Sequence, residues 1–247
     1  MKLVIYGYGA MGKLLCKSVE GKEDLTLIAA IEPRKPMQNE NHKVLEKLED
    51  LVADFDLLID FSHPNNIHAI LNYAVKHQKP IVICTTGFDA ATLAAIKKSS
   101  QQIPILLASN TSLGITLLHR LLQVATQALA DDFDIEIIEK HHNKKLDAPS
   151  GTANSLLKTV QENLSSKRAV EYGRQGMKKR TKAAVGMHSL RAGTIVGEHS
   201  IIFAGEEEVI ELKHSAQSKK IFAEGAIKAA RFLAKQTKGL YDMKDAI

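Results

Sequence analysis

Residues 139–152 concentrate side chains that can transfer protons and bind anions. Their sequence is Glu-Lys-His-His-Asn-Lys-Lys-Leu-Asp-Ala-Pro-Ser-Gly-Thr. As a histidine, His141 can donate a proton, and Lys145 offers a second cation. Ser150, Gly151 and Thr152 open a predicted helix, whose first N–H groups suit a carboxylate. The segment therefore predicts an acid–base site that binds a carboxylate.

This segment has two other interpretations. A metal site is disfavoured because the adjacent side chains of His141 and His142 point in different directions and no third ligand is nearby in sequence. A surface turn followed by a helix cap would also explain the composition. We expect no metal here.

A second motif, Gly7-Tyr8-Gly9-Ala10-Met11-Gly12, follows a short apolar strand directly and opens a predicted helix. There the first glycine permits a tight turn, the second lets the backbone approach a pyrophosphate, and the third lets helix and strand pack closely. Glu32 ends the second predicted strand, where a carboxylate can bind ribose hydroxyls. The pattern predicts a dinucleotide site, and a purely structural glycine-rich turn is the alternative.

The residues after Glu32 leave the choice of nicotinamide nucleotide open. Arg34 and Lys35 could bind the 2′-phosphate of NADPH, whereas Glu32 would repel it and favour NADH. Further nucleotide contacts are expected in loops that follow predicted strands, because ligands of open α/β sheets bind beyond the carboxyl ends of the strands. The candidate loops are 60–62, then Thr85, Thr86 and Gly87, and finally Ala108, Ser109, Asn110 and Thr111.

The elements around these motifs follow two patterns. In the first half, apolar runs of strand length alternate with helical segments, which predicts parallel βαβ units. The predicted strands are 2–6, 25–31, 57–61, 81–84 and 105–107, and the predicted helices are 11–19, 44–53, 67–76 and 90–99. The second half predicts a mixed α+β arrangement. Its helices are 115–130, 152–164 and 222–235, its strands are 135–139, 185–190, 193–199, 200–203 and 208–214, and 170–182 is a long loop.

Composition excludes several other classes of protein. The 247 residues are 45% hydrophobic and 25% charged, which is typical of globular proteins, and no apolar run approaches the roughly 18 residues of a membrane span. The net charge of +5 is dispersed and aromatic residues are few, so we expect small anionic ligands rather than nucleic acid. Two cysteines, Cys16 and Cys84, are too few for a disulfide scaffold, and we expect a cytoplasmic protein without membrane contact.

Residues 141–152 match closely the HHxxKxDAPSGT signature of the 4-hydroxy-tetrahydrodipicolinate reductase family, also called dihydrodipicolinate reductase, which the chain resembles. Residues 186–205 are similar to that family's GxHSxRxGxxxGEHxxxFxG stretch. The segments 7–12, 60–62, 85–87 and 108–112 lie where the family has its nucleotide loops. Two departures are small: Thr111 stands where many members have an aromatic residue, and Ala192 where many have glycine.

The resemblance implies a fold class and an assembly. The fold is α/β, with a Rossmann-like parallel-sheet nucleotide domain and an α+β domain with a mixed sheet. The nucleotide domain comprises residues 1–110, joined by 218–247, and the substrate-binding and tetramerisation domain comprises 111–217. The assembly implied is a homotetramer.

The resemblance also implies an activity. It is the NADH- or NADPH-dependent reduction of (2S,4S)-4-hydroxy-2,3,4,5-tetrahydrodipicolinate, a small dicarboxylate, to 2,3,4,5-tetrahydrodipicolinate with loss of water. The reaction belongs to the diaminopimelate route of L-lysine biosynthesis. His141 is the implied proton donor, with Lys145 as a second acid, and the implied ligands of a substrate carboxylate are His142, Lys145, Ser150, Gly151 and Thr152.

Two competing classes fit part of the sequence. A semialdehyde dehydrogenase would fit the first half, but it needs a nucleophilic cysteine, and Cys84 instead precedes a nucleotide-type turn. A non-catalytic nucleotide-sensing or nucleic-acid-binding protein would explain the glycine motif and the basic charge. It would leave the cluster of histidines, lysines and Ser-Gly-Thr without a role.

Overall fold

The computed structural model describes residues 1–34 and 42–247, so Lys35, named above as a candidate phosphate ligand, lies outside the described residues. The chain divides into two compact units. The first contains Met1–Leu113 and Lys219–Ile247, and the second contains Gly114–Ser218. No helix in the described ranges is both long enough and apolar enough to cross a membrane.

The first unit is built on a seven-stranded parallel sheet. Its strands are β1 (Lys2–Tyr6), β2 (Thr26–Ile31), β3 (Val44–Leu45), β4 (Leu57–Asp60), β5 (Ile81–Ile83), β6 (Pro104–Leu107) and β12 (Gly239–Tyr241). Their order is β12-β6-β5-β4-β1-β2-β3, so the winding reverses between β1 and β4. A reversal of this kind opens a crevice beyond the strand ends, where nucleotides bind in such folds.

Helices cover both faces of this sheet, which is why its strands are apolar throughout. They are α1 (Ala10–Val19), α2 (Ile67–Lys76), α3 (Ala90–Ser99) and α6 (Lys220–Leu233). In β1, Leu3 and Ile5 pack in the core cluster with residues of α1 and α6, while Val4 packs in the cluster with residues of α2 and α3. Strand β1, packed on both faces, thus places the glycine-rich turn at the carboxyl edge of the sheet.

The second unit contains a five-stranded mixed sheet and two helices. Its strands are β7 (Asp134–His141), β8 (Ala169–Tyr172), β9 (Ala184–Arg191), β10 (Gly197–Ala204) and β11 (Val209–Ala216), in the order β11-β10-β7-β9-β8. The central strand β7 runs antiparallel to β10 and parallel to β9. Helices α4 (Leu113–Leu129) and α5 (Gly151–Glu162) share a core with one face, through side chains such as Ile137, Leu122 and Leu156.

The predicted fold class is confirmed, and three local predictions are wrong. Residues 44–53, predicted as a helix, form β3 and a short 3-10 helix at Leu48–Asp50, because the N–H of Glu32 donates to the carbonyl of Leu45 at 2.8 Å and adds β3 to the sheet edge. The two strands predicted at 193–199 and 200–203 are one strand, β10, preceded by a turn in which Gly193 has a φ of +47°. The loop predicted at 170–182 begins inside β8, which pairs with β9.

Candidate active site

Strand β7 carries the start of the acid–base segment on the face that packs against the helices. Side chains alternate along a strand, so Glu139 and His141 extend the same face as Ile135 and Ile137. Glu139 is completely buried, with 0% of its surface exposed, and only 11% of the His141 side chain is exposed. A fully buried carboxylate requires several hydrogen-bond partners.

Glu139 finds those partners on three elements. His141 Nδ1 lies 2.5 Å from its Oε2. Arg191 donates from its two terminal nitrogens, at 2.9 Å to Oε2 and 2.7 Å to Oε1, and the N–H of Ser150 donates to Oε1 at 3.2 Å. Burial raises the pKa of the Glu139 carboxyl, but the hydrogen bonds from Arg191, His141 and Ser189 outweigh burial and lower that pKa to about 2. The group is therefore an ionised acceptor at neutral pH.

The His141 ring is enclosed by two residues of β10. The His199 ring meets it edge-on, with the ring centroids 5.2 Å apart. A Cβ on Gly197 would lie 3.0 Å from His141 Nε2, so glycine leaves room for the ring. Burial, aided by the charge of His141, lowers the pKa of His199 to about 4. His199 is therefore neutral at physiological pH.

The N-terminus of α5 lies next to this network. Ser150 caps the helix, since its Oγ accepts from the N–H of Ala153 at 3.1 Å, and the same Oγ lies 3.1 Å from His199 Nε2. Its own N–H is engaged by Glu139. Gly151 and Thr152 occupy the first two helical positions, where backbone N–H groups precede the intrahelical hydrogen bonds and favour anions.

Two further predicted ligands lie in the loop between β7 and α5. Lys145 Nζ is 2.7 Å from Asp147 Oδ1, and 22% of the Lys145 side chain is exposed. His142 Nδ1 is buried and makes no hydrogen bond to any residue of 1–34 or 42–247. The backbone fixes the loop, because the N–H of Asn143 donates to the carbonyl of Gly193 at 3.2 Å and the N–H of Ala192 donates to that of His141 at 2.9 Å.

Sequence reasoning did not single out Glu139, Arg191, Gly197 or His199 as site residues. Arg191 and His199 come from strands far along the chain, and only the sheet register places them opposite His141 and Glu139 respectively. The available signal was the charged residue Glu139 at an inward position of an apolar strand.

The glycine-rich turn of the first unit has a geometry suited to a pyrophosphate. Gly7 has a φ of +97°, and a Cβ on it would lie 2.4 Å from the Phe61 carbonyl oxygen. A Cβ on Gly12 would lie 1.8 Å from the Gly7 carbonyl oxygen, so α1 packs directly on the turn. A Cβ on Gly9 would meet nothing within 4 Å. The turn is closed toward the protein and open at Gly9, as close approach of a phosphate requires.

Glu32 stands beside this turn and is oriented by the backbone. Its Oε2 accepts from the N–H of Tyr8 at 3.0 Å, and its Oε1 accepts from the N–H of Arg34 at 3.2 Å. A cavity of about 200 Å³ lies here, lined by Gly7, Gly9, Glu32, Arg34, Phe61 and Ser62 among others. The residues present therefore fit the ribose and phosphates of a dinucleotide. The Tyr8 side chain belongs to the core, and of the next two turn residues Ala10 is exposed and Met11 half-buried.

The other predicted nucleotide loops follow β4, β5 and β6. The N–H of Ser62 donates to Thr85 Oγ1 at 2.9 Å, which joins two of these loops, while Thr86 and Gly87 are exposed. In the last loop Ala108 is buried, Ser109 is exposed and Asn110 Oδ1 accepts from the N–H of Ser112 at 2.9 Å. Thr111 is buried, and its hydroxyl donates to the carbonyl of Phe222 in α6 at 2.7 Å.

Comparisons with known proteins cover both units. Residues 1–111 match the family described as dihydrodipicolinate reductase, N-terminus, and residues 114–247 match its C-terminus. The chain is 42% identical to 4-hydroxy-tetrahydrodipicolinate reductase of Brachyspira hyodysenteriae, with 100% of both chains covered. It is 43% identical to the enzyme of that name from Clostridium botulinum, with 100% of this chain and 98% of the relative covered.

Solved structures show the same fold. Dipicolinate-bound dihydrodipicolinate reductase from Paenisporosarcina sp. TG-14 aligns with a TM-score of 0.84 at 23% identity, covering 100% of this chain and 99% of that one. The diaminopimelate dehydrogenase of C. glutamicum aligns with a TM-score of 0.61 at 12% identity, covering 99% and 93%. The fold of this chain is thus shared with both structures.

Proposed function

The chain belongs to the dihydrodipicolinate reductase family, and we propose that the site at the start of α5 binds and protonates its substrate while the glycine-rich turn holds its nicotinamide nucleotide. The protein is an oxidoreductase of lysine biosynthesis. It reduces (2S,4S)-4-hydroxy-2,3,4,5-tetrahydrodipicolinate to 2,3,4,5-tetrahydrodipicolinate with loss of water. The observation that carries the assignment of the site is the buried Glu139, which joins His141 to the N-terminus of α5.

The first unit holds the nucleotide. Gly9 and the N-terminus of α1 bind the pyrophosphate, and Glu32 binds the ribose of the adenosine. The loops of Thr85 to Gly87 and of Ala108 to Thr111 receive the nicotinamide end. Loss of the hydroxyl group and a neighbouring ring hydrogen as water leaves a ring carbon conjugated with the imine of the substrate, and the reduced nucleotide, when bound, would supply a hydride to that carbon. Both NADH and NADPH serve, because Glu32 favours the free ribose while Arg34, which is exposed beside it, attracts a 2′-phosphate.

The second unit holds the dicarboxylate. A substrate carboxylate is bound by the ammonium group of Lys145 and by the N–H groups at Gly151 and Thr152, with His142 beside them. Ser150 supports this site as the helix cap, because its hydroxyl and N–H are both engaged within the protein. Fixing the carboxylate also fixes the ring that carries it, which aligns the reacting carbon.

His141 completes the reaction by donating a proton. Hydride addition leaves negative charge on the neighbouring ring carbon, and a protonated imidazole within reach quenches that charge. The cation of Lys145 stabilises the same charge as it develops. This division of roles predicts that His141→Gln lowers kcat by about 10²- to 10⁴-fold with a smaller effect on the KM of the heterocycle.

The assembly is a homotetramer formed through the second sheet, and the compartment is the cytoplasm. The face of that sheet opposite α4 and α5 carries the apolar side chains of Ile138, Leu190 and Ile202, which are half-buried or exposed in one chain. Apolar residues on an open sheet face are typical of a subunit interface. The buried free thiols of Cys16 and Cys84 suit a reducing compartment.

The experiment is a rate measurement with purified protein. Oxidation of NADH and of NADPH is followed with and without the heterocycle, which is generated enzymatically in the same solution. We expect oxidation only when the heterocycle is present, and its loss in His141→Gln. Oxidation that does not depend on the heterocycle would refute the proposed substrate.

A further inference from the structure

We infer that Glu139 is a positioning residue that holds the proton on Nδ1 of His141 and so makes Nε2 the nitrogen that delivers a proton to the substrate. The inference rests on the proposed role of His141 as the proton donor. It assigns a function to a fully buried carboxylate that lies two residues before His141. The geometry, rather than the sequence spacing, identifies this residue.

In the contact between Glu139 and His141, the imidazole donates and the carboxylate accepts. Hydrogen bonds from Arg191 and from the N–H of Ser150 keep the carboxylate ionised, so both of its oxygens accept only. The 2.5 Å contact is therefore a donation from His141 Nδ1–H to Glu139 Oε2. A neutral imidazole carries one proton, and here that proton is on Nδ1.

During the reaction, Nε2 of His141 delivers the proton. Protonated His141 carries hydrogen on both nitrogens, and the one on Nε2 passes to the substrate carbanion as the new C–H bond forms. The neutral ring that remains keeps its Nδ1 proton in the hydrogen bond to Glu139, which gains no proton itself. Solvent then returns a proton to Nε2. The carboxylate thus stabilises the imidazolium and fixes its orientation without titrating.

Arg191 and its backbone partners keep the Glu139 side chain from turning away. Arg191 binds both carboxylate oxygens as a fork, which fixes the plane of the carboxylate. Arg191 is in turn held by two backbone carbonyls, that of Leu190 at 2.7 Å and that of Asp147 at 2.5 Å. Asp147 also holds Lys145, so the same clamp connects His141 to the loop of the second proposed cation.

Nε2 lies on the side of the His141 ring that faces away from Glu139. Within the described ranges the protein offers no hydrogen-bond partner to His141 Nε2. Gly197 lies beneath this atom, and any Cβ there would approach it to 3.0 Å. The ring is therefore fixed through Nδ1 and left accessible at Nε2, as proton delivery to a bound ligand requires.

The same strand provides a matched control. Glu136 lies on the opposite face of β7 and has partners of the same types. Arg180 Nε donates to its Oε1 at 2.7 Å, and His188 Nε2 lies 2.8 Å from its Oε2. Glu136→Gln therefore perturbs an equivalent Glu–Arg–His cluster without touching His141.

The test reads the protonation site of His141 directly. Full-length protein labelled with ¹⁵N-histidine is studied by NMR, and the His141 signals are assigned from their absence in His141→Gln. We expect hydrogen on Nδ1 in the neutral ring of the wild type and of Glu136→Gln, and a shift toward hydrogen on Nε2 in Glu139→Gln. An unchanged His141 tautomer in Glu139→Gln would overturn the inference.

Steady-state kinetics supply the second readout. We expect Glu139→Gln to lower kcat about 10²-fold or more, with the KM for the nucleotide within about twofold of the wild type. Glu139→Asp keeps the charge but has a shorter side chain, so its kcat should lie between those of the wild type and Glu139→Gln. If the Glu139→Gln protein does not fold, Glu139→Asp is measured in its place. A loss of kcat in Glu136→Gln equal to that in Glu139→Gln would overturn the inference. Normal turnover of His141→Gln would instead refute the proposed proton donor, and the NMR result would still decide the role of Glu139.

Discussion

At the scale of single residues, the proposed site combines one group that we expect to exchange protons with several that we expect not to. Glu139 and Arg191 form a fixed ion pair that supports His141, and His199 stays neutral because burial lowers its pKa to about 4. In the proposed site, the groups that face a bound dicarboxylate are His141, Lys145 and the helix N-terminus. In the proposed site His141 serves protonation, whereas Lys145 serves both binding of the substrate and stabilisation of the developing charge.

Lys145→Ala should impair both binding and turnover. The ammonium group is proposed to hold a substrate carboxylate and to stabilise the developing charge, and loss of one charge-assisted hydrogen bond costs roughly 1.5–3 kcal/mol, or about 10- to 150-fold in kcat/KM. Lys144→Ala is the matched control, because Lys144 is the exposed neighbour in the same loop. A change in thermal stability alone, with normal kcat and KM, would make Lys145 a structural cation.

Replacing Arg34 and Lys35 together with alanine should weaken NADPH selectively. Loss of a charge-assisted contact to the 2′-phosphate predicts a rise in the Kd of NADPH of about 10- to 150-fold, while the Kd of NADH moves little because its ribose has no such phosphate. Titration of both nucleotides measures the effect, with Lys97→Ala on α3 as an exposed control. Equal losses for the two nucleotides, or no loss for either, would show that these cations do not recognise the phosphate.

At the scale of elements, the glycine-rich turn contains one glycine, Gly9, that is proposed to serve nucleotide binding and another, Gly12, that serves packing. Gly9→Ala should leave the free energy of unfolding within about 0.5 kcal/mol of the wild type, since the added Cβ meets nothing within 4 Å. The same methyl group should raise the Kd of the nucleotide at least about tenfold, because it lies where the pyrophosphate is proposed to approach.

Gly12→Ala is the contrasting variant of the same turn. Its Cβ would lie 1.8 Å from the Gly7 carbonyl oxygen, so α1 must shift, at a cost of about 1–3 kcal/mol of stability. Denaturant unfolding and nucleotide titration of both variants make the comparison. Equal destabilisation by Gly9→Ala and Gly12→Ala would remove Gly9 from the binding role.

Local patterns predicted most of these elements, and long-range pairing explains the exceptions. Apolar runs such as that of β1 and the turn at Gly7 to Gly12 are encoded within a few residues, so the parallel sheet was predictable. Strand β3 has only two residues and exists because it pairs with β2. Strand β12 was not predicted, since its three residues form a strand only through pairing with β6.

Some residues of the proposed site are likewise recognisable from local sequence, and others come together only through long-range strand pairing. His141, Lys145 and the Ser-Gly-Thr helix start are close in sequence and could be recognised together. Arg191 and Gly197 reach His141 only through the register of β9 and β10 with β7. Such a register depends on side-chain packing across the whole sheet, which a single sequence does not display.

At the scale of the whole molecule, the buried site should make stability depend on pH. His199 has a folded-state pKa of about 4, against 6.5 for an ordinary histidine, so between these values the unfolded chain binds a proton that the folded chain does not. Stability is therefore complete above pH 6.5 and declines as the pH falls toward 4. At about 1.4 kcal/mol for each pH unit, His199 accounts for roughly 3 kcal/mol of this decline.

Chemical unfolding at several pH values measures this dependence. His199→Gln should flatten the fall in unfolding free energy between pH 6.5 and 4, and His68→Gln, at an exposed position on α2, should not. In His199→Gln the unfolding free energy should still fall somewhat over this pH range, because burial also lowers the pKa of His214. Glu139, whose pKa is lowered from 4.5 to about 2, contributes only below pH 4.5. An identical pH dependence in the wild type and His199→Gln would contradict this account.

The central claim is that this chain transfers a hydride from a nicotinamide nucleotide to a ring carbon of the heterocycle. The most direct test uses nucleotide deuterated on C4 of the reduced nicotinamide, on the face from which hydride is delivered, and mass spectrometry of the tetrahydrodipicolinate formed in ordinary water. We expect one deuterium in each product molecule, on the ring carbon that received the hydride. Product that carries no deuterium from the nucleotide would contradict it.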